Sequence, residues 1–124
     1  MNTTKVLIID DEMDFAVPLA DRLKKRNYDC RAVFSADQAL KTFDQNWLPD
    51  VAIIDLHMPE QDGLATLEIL QSRLPSGKFI MLTGHASTSS NIEGMAKGLS
   101  AYLMKPVSIY ILIETIETAL AEKK

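Results

Sequence analysis

Near its N-terminus the chain reads Val6-Leu7-Ile8-Ile9-Asp10-Asp11, four apolar residues followed directly by two acids. A short, continuous apolar run is typical of a strand that is buried on both faces, as in a parallel sheet. The pattern returns at Val51-Ala52-Ile53-Ile54, which also ends on an acid, Asp55. These two runs predict interior strands of an α/β domain.

Elsewhere the apolar residues alternate between short runs and helical spacing. Three further strands are predicted at residues 28–34, 79–82 and 101–104, and five helices at residues 15–23, 36–43, 64–74, 92–99 and 109–120. Asp14 and Ser35 are the expected N-caps of the first two helices. Core filling is the expected role of Met58, Met81, Met95 and Met104. Strands that alternate with helices favour a parallel sheet covered on both faces, a three-layer α/β/α sandwich, although spacing alone leaves the strand order open.

The composition fits one globular domain and excludes several classes of protein. The chain has 124 residues, of which 47% are hydrophobic and 24% charged. A formal net charge of -4 without a large basic cluster argues against direct binding of nucleic acid. No apolar run approaches the ~18 residues that span a membrane. We therefore expect a cytoplasmic protein that contacts neither nucleic acid nor membrane, and whose single cysteine, Cys30, is a buried thiol.

Chemically informative residues stand where the predicted strands end. The first strand is followed by Asp10 and Asp11, the third by Asp55, the fourth by Thr83 and the fifth by Lys105. Because the carboxyl ends of parallel strands gather at one edge of a sheet, where ligands bind, we expect these side chains to converge. Neighbouring carboxylates repel one another unless a hard cation such as Mg²⁺ neutralises them. One carboxylate can then act as a nucleophile while an ammonium balances phosphoryl charge, which predicts phosphoryl transfer to a side chain.

With these residues the chain resembles the receiver domains of response regulators, the CheY-like superfamily of two-component signal transduction. The matching motifs are Val6-Leu7-Ile8-Ile9-Asp10-Asp11-Glu12, Asp55-Leu56-His57-Met58-Pro59 with Asp62-Gly63, Leu82-Thr83-Gly84, and Tyr102-Leu103-Met104-Lys105-Pro106. Each motif alone is weak, but their order and their places at predicted strand ends make the set specific. The resemblance implies a doubly wound, flavodoxin-like sheet of order 2-1-3-4-5. It also implies one receiver domain over residues 1–124, with no output domain in this chain.

The resemblance assigns roles to the residues of a phosphorylation site. Asp55 is the expected phosphoryl acceptor. Asp11 and Asp55 are expected to hold Mg²⁺, or Mn²⁺, together with the backbone carbonyl of His57, while Asp10 acts on the ion mainly through water. Lys105 is expected to pair with the phosphoryl group.

Two further residues are implicated by the resemblance in a switch between inactive and active states. Thr83 would close on the phosphoryl group once it arrives, and the ring of Tyr102 would turn inward. Without the resemblance, Tyr102 would simply be an aromatic residue of the core. The peptide bond between Lys105 and Pro106 is expected to be cis, which would point the lysine into the site.

These roles predict a signalling switch. The expected donor is a phosphohistidine on a sensor histidine kinase or a histidine phosphotransfer domain. The chain would catalyse its own aspartyl phosphorylation and slow dephosphorylation, rather than act as an enzyme on other substrates.

Tyr110 and Ile111 fall off the main apolar stripe of the final helix. With Tyr102 they suggest a surface, formed by the fourth helix, fifth strand and fifth helix, for a homodimer or a downstream effector.

Other functions fit the residues less well. Haloacid dehalogenase enzymes also use an aspartyl nucleophile with Mg²⁺, but they need a second aspartate two residues later, where this chain has His57. A pure interaction module would not need the intact acidic, threonine and lysine positions. A transition-metal site with His57 and His85 is conceivable, yet the family ligand next to Asp55 is a main-chain carbonyl. We expect both histidines instead to border the path of an attacking water and to tune the phosphoryl lifetime.

Overall fold

The structure, a computed structural model, describes residues 3–44, 46–56, 63–84 and 97–122. The strands in this part of the chain are β1 (Lys5–Ile9), β2 (Asp29–Val33), β3 (Val51–Asp55), β4 (Lys78–Thr83) and β5 (Ala101–Met104). The helices are α1 (Met13–Lys24), α2 (Ala36–Thr42), α3 (Gly63–Arg73) and α4 (Ile109–Ala121). The helix predicted at 92–99 falls outside the described residues except at its end. There the prediction is wrong, because Leu99 is a buried loop residue.

All five strands form one parallel sheet in the order β2-β1-β3-β4-β5, which confirms the order implied by the resemblance. Because β1 and β3 are neighbours, Ile9 pairs with Ile54. The residues that follow this pair, Asp10 and Asp55, therefore lie next to each other at the edge of the sheet. On the other flank, Thr83 of β4 pairs with Met104 of β5. The sheet therefore brings all the chemically informative strand ends to one edge.

The core consists of two apolar layers, one on each face of the sheet. Successive strand residues point to opposite faces, so alternate residues of β1 enter different layers. One layer joins β1 to α1 and α4 through Val6, Ile8, Leu19, Leu23, Leu112 and Ile116. The other joins β1 to α2 and α3 through Leu7, Ile9, Ala39, Leu67 and Leu70. This double burial explains why β1 and β3 are continuous apolar runs.

None of the described helices has both the length and the apolar character needed to cross a membrane.

Local details differ from the sequence predictions at two positions. Helix α1 begins at Met13 with Glu12 as its N-cap, so the prediction of Asp14 as the cap is wrong. Ser35 does cap α2, since its hydroxyl accepts a hydrogen bond of 3.1 Å from the backbone N–H of Gln38. Met104 is 53% exposed rather than buried, because it ends β5 at the margin of the sheet. Met81 fills the core as expected, and Met58 and Met95 lie outside the described residues.

Cys30 gives a direct test of the packing around β2. Its side chain is buried, and burial raises the pKa of the thiol to about 12. Because the thiolate is the reactive form, we expect reaction with Ellman's reagent at pH 8 to be at least about 100-fold slower in the folded domain than in urea. The release of thionitrobenzoate measures both rates. Equal rates would contradict a closed core at this strand.

Candidate functional site

Three carboxylates meet at the edge where β1 and β3 end. Asp10 and Asp11 follow β1 directly, and Asp55 is the last residue of β3. Each offers a carboxylate oxygen, and these oxygens all lie within 4.8 Å of one another. Asp10 and Asp55 are buried, whereas Asp11 is partly open to solvent. The structure thus brings together the three acids that the sequence predicts to converge.

Lys105 reaches the same place from the end of β5. Its ammonium nitrogen Nζ lies 2.8 Å from Oδ2 of Asp10 and 3.9 Å from Oδ1 of Asp55. The backbone N–H of Lys105 donates a 2.7 Å hydrogen bond to the carbonyl of Thr83, which ties the residue to the end of β4. The bond between Lys105 and Pro106 is cis, as the resemblance implies. The lysine is therefore held against the acids by both its backbone and its side chain.

The two residues expected to act as a switch lie on β4 and β5. Thr83, the last residue of β4, is fully buried at the edge that carries the acids. Tyr102 pairs with Met81 and packs against the layer that contains α2 and α3. Its hydroxyl oxygen is buried and has no hydrogen-bond partner among the described residues. His57 and His85 lie outside the described ranges, so the roles expected of them stay predictions.

Sequence reasoning missed two neighbours of the lysine, Glu12 and Phe15. The Glu12 carboxylate accepts a hydrogen bond from the Lys105 ammonium, and the centre of the Phe15 ring lies 4.4 Å from Nζ. The sequence carries one signal for this pair. Glu12 and Phe15 are three residues apart at the start of α1, and residues i and i+3 share one helix face. Nothing in the sequence, however, shows that this face meets Lys105.

Burial and charge act against each other in this cluster. Burial raises the pKa of Asp10, although hydrogen bonds from the Lys105 ammonium and the Glu12 backbone partly offset this. Burial by itself lowers the pKa of Lys105. Hydrogen bonds to Asp10 and Glu12, with attraction from Asp10 and Asp55, outweigh that effect and leave the pKa raised. Among the described residues the ammonium faces the carboxylates of Asp10, Glu12 and Asp55, and Asp11 adds a fourth negative charge to the cluster, an excess that favours a cation.

Comparison with known proteins settles the family. The family model described as "response regulator receiver domain" matches residues 6–117 of this chain. The chain belongs to this family.

Solved structures of receiver domains superpose closely on this one. A CheY-like receiver domain protein from Methanospirillum hungatei has a TM-score of 0.88 at 28% identity, over 96% of this chain and 94% of that one. A response regulator from Burkholderia pseudomallei, solved with a phosphorylated aspartic acid, a calcium ion and citrate, has a TM-score of 0.86 at 29% identity. That match covers 95% of this chain and 69% of the other.

Curated relatives of this receiver domain differ in length. The chemotaxis protein CheY of Listeria monocytogenes is 28% identical over 116 residues, which cover 93% of this chain and 97% of that protein. The DNA-binding transcriptional regulator NtrC of Proteus hauseri is 29% identical over 120 residues, which cover 97% of this chain but 25% of that protein. The receiver domain thus spans about a quarter of the length of NtrC.

The acids of this receiver domain fit a divalent cation. Their donors are all carboxylate oxygens, which suit Mg²⁺, Mn²⁺ or Ca²⁺ better than zinc or copper. Two oxygens on opposite sides of Mg²⁺ lie about 4.2 Å apart, since each Mg–O distance is about 2.1 Å. The carboxylate oxygens of the three acids lie within 4.8 Å of one another, which is close to this separation.

Proposed function

We propose that Asp55 is the phosphoryl acceptor of this receiver domain, and that Mg²⁺ or Mn²⁺, held by Asp11 and Asp55 with Asp10 acting mainly through water, assists the transfer. The observation that carries this proposal is the meeting of three carboxylates within 4.8 Å beside the ammonium of Lys105. The resemblance adds the backbone carbonyl of His57 to the ion's ligands. A bound cation would neutralise the carboxylates and balance the charge of the phosphoryl oxygens.

The resemblance gives the role of nucleophile to Asp55, and the contacts of Lys105 are compatible with that role. Asp10 is engaged at both oxygens, with Oδ1 accepting from the Glu12 backbone at 2.9 Å and Oδ2 from Lys105 at 2.8 Å. Asp55 Oδ1 lies 3.9 Å from the same ammonium, beyond hydrogen-bond distance. A phosphoryl group on Asp55 would therefore have its oxygens close to Lys105 without breaking the Asp10 contact.

In the proposed transfer, a carboxylate oxygen of Asp55 attacks the phosphorus of a phosphohistidine on a sensor kinase or a phosphotransfer domain. The new P–O bond forms as the P–N bond breaks, and the bonding electron pair stays on the imidazole nitrogen, which then takes a proton from solvent. Lys105 donates to a phosphoryl oxygen, and the Thr83 hydroxyl donates a second hydrogen bond. Water later attacks the phosphorus, which releases phosphate and restores the Asp55 carboxylate.

The phosphoryl group would act by shifting a two-state equilibrium. Contacts that Thr83 makes only with the phosphoryl group favour one state, and the ring of Tyr102 follows by repacking. Of the residues predicted for a contact surface, Tyr110 and Ile111 on α4 are exposed and Tyr102 is only partly exposed, while Met104 at the end of β5 adds a further exposed apolar side chain. We propose that the exposed residues form part of a surface that binds a second copy of the domain or an effector.

Incubation with acetyl phosphate and Mg²⁺, followed by intact mass measurement, tests the acceptor and the metal together. We expect a gain of one phosphoryl group, with acetate as the leaving group, and loss of this gain when EDTA removes the metal. Borohydride reduction followed by peptide mapping should place the modification at Asp55. A domain that takes up no phosphoryl group with metal present, or takes it up at another residue, would contradict the proposal.

A further inference from the structure

The ammonium of Lys105 has two carboxylate partners that differ in exposure. The Asp10 side chain is 2% exposed, whereas the Glu12 side chain is 62% exposed. The Phe15 ring closes a further side of the ammonium at 4.4 Å. Asp10 and Glu12 engage two of the three N–H donors of the ammonium, so a phosphoryl oxygen on Asp55 would share one cation with two carboxylates that repel it.

Glu12 stands at the N-cap of α1 but does not cap the helix through its side chain. Glutamate is not among the favoured N-cap residues, which are Ser, Thr, Asp and Asn. The backbone of Glu12 is fixed independently, since its N–H donates to Asp10 and its carbonyl accepts from Phe15 and Ala16. Its carboxylate is directed to Lys105 instead. A change confined to that carboxylate therefore removes no helix cap.

We propose that Glu12 is a positioning residue that holds Lys105 in the unphosphorylated domain and gives up its place to a phosphoryl oxygen on Asp55. This inference rests on the proposed function. Glu12 is the partner that exchanges because its exposed carboxylate returns to water at little cost, whereas the buried Asp10 would be left as an unpaired charge. Competition from Glu12 for the ammonium therefore lowers the affinity of the site for an incoming phosphodonor.

Glu12→Gln keeps the shape of the side chain and removes its charge. An ion pair whose carboxylate is exposed to water, as that of Glu12 is, is worth about two- to fivefold in an equilibrium constant. We therefore expect the KM for acetyl phosphate, at saturating Mg²⁺, to fall by about two- to fivefold while kcat stays unchanged. Time courses of intact mass at several concentrations of acetyl phosphate give both constants. If Glu12 acted on stability alone, its replacement would not lower KM while leaving kcat unchanged.

Two comparisons isolate the contact with Lys105. Asp14→Asn removes an equal charge from an exposed acid in the first turn of α1, and we expect it to change KM by less than about 1.5-fold. Glu12→Gln in a Lys105→Met background should have no effect on KM, because the ammonium for which Glu12 competes is gone.

An unchanged KM in Glu12→Gln would overturn the inference. So would an equal decrease in the Lys105→Met background, which would place the effect elsewhere than in Lys105. A lower kcat at constant KM would also overturn it, since Glu12 would then assist the transfer. Each of these results leaves Asp55 as the acceptor, whereas a wild-type domain that takes up no phosphoryl group would overturn the proposed function as well.

Discussion

Phosphorylation of the Asp55→Asn variant by acetyl phosphate is expected to fall at least about 100-fold below that of the wild-type domain. An amide oxygen is a much poorer nucleophile than a carboxylate oxygen, and asparagine cannot form a stable acyl phosphate. Asparagine nearly matches aspartate in shape, so the buried position at the end of β3 should still be filled. Removing one charge from the crowded acids should leave the free energy of unfolding unchanged or slightly raised.

Asp37→Asn is the matched control for this variant. Asp37 is an exposed acid in the first turn of α2, so the control loses the same charge at a residue outside the cluster of three carboxylates. We expect it to take up a phosphoryl group to the same extent as the wild-type domain, as measured by intact mass. Thermal melting followed by circular dichroism should show that both variants fold. Normal labelling of the Asp55→Asn variant would place the acceptor at another residue.

Much of the fold could be predicted because interior parallel strands carry an unambiguous pattern. The apolar runs of β1 and β3 are continuous since both faces of each strand are covered. The order of the strands was not in the spacing and came only with the resemblance. The start of α1 was missed because backbone hydrogen bonds to the carbonyl of Glu12 decide it, and glutamate is not a usual cap. Leu99 was misplaced because a buried loop residue and a helix face give the same apolar signal.

The candidate site could be predicted as far as the sheet itself determines it. Asp55 ends β3, Asp10 and Lys105 directly follow β1 and β5, and the carboxyl ends of parallel strands share one edge. The contact between Glu12 and Lys105 depends instead on the path of the loop after β1 and on side-chain rotamers. Neither the path of a loop nor a rotamer produces a periodic pattern of apolar residues in the sequence. The part of the site that lies off the sheet is therefore the part that the sequence did not predict.

Gly63→Ala is expected to lower the free energy of unfolding by about 3 kcal/mol or more. A Cβ atom at Gly63 would lie 2.5 Å from the carbonyl oxygen of Asp55 and 2.6 Å from Cα of Leu56. Both are backbone atoms, so neither can move aside by a change of rotamer. The N–H of Gly63 also donates a 2.7 Å hydrogen bond to the Leu56 carbonyl, which keeps the start of α3 against the end of β3. Relief of the overlap must shift the backbone that carries the proposed acceptor, so we also expect slower phosphorylation.

Gly84→Ala separates this close approach from the general effect of replacing a glycine. Gly84 is exposed, and a Cβ there would meet no atom of the described residues within 4 Å. We expect its free energy of unfolding to stay within about 0.5 kcal/mol of the wild-type value. Urea unfolding followed by the fluorescence of the buried Trp47, the only tryptophan of the chain, measures both variants. Equal stability of the two variants would mean that β3 and α3 can separate at this point without cost. The packing at Gly63 would then not be what holds the Asp55 backbone in place.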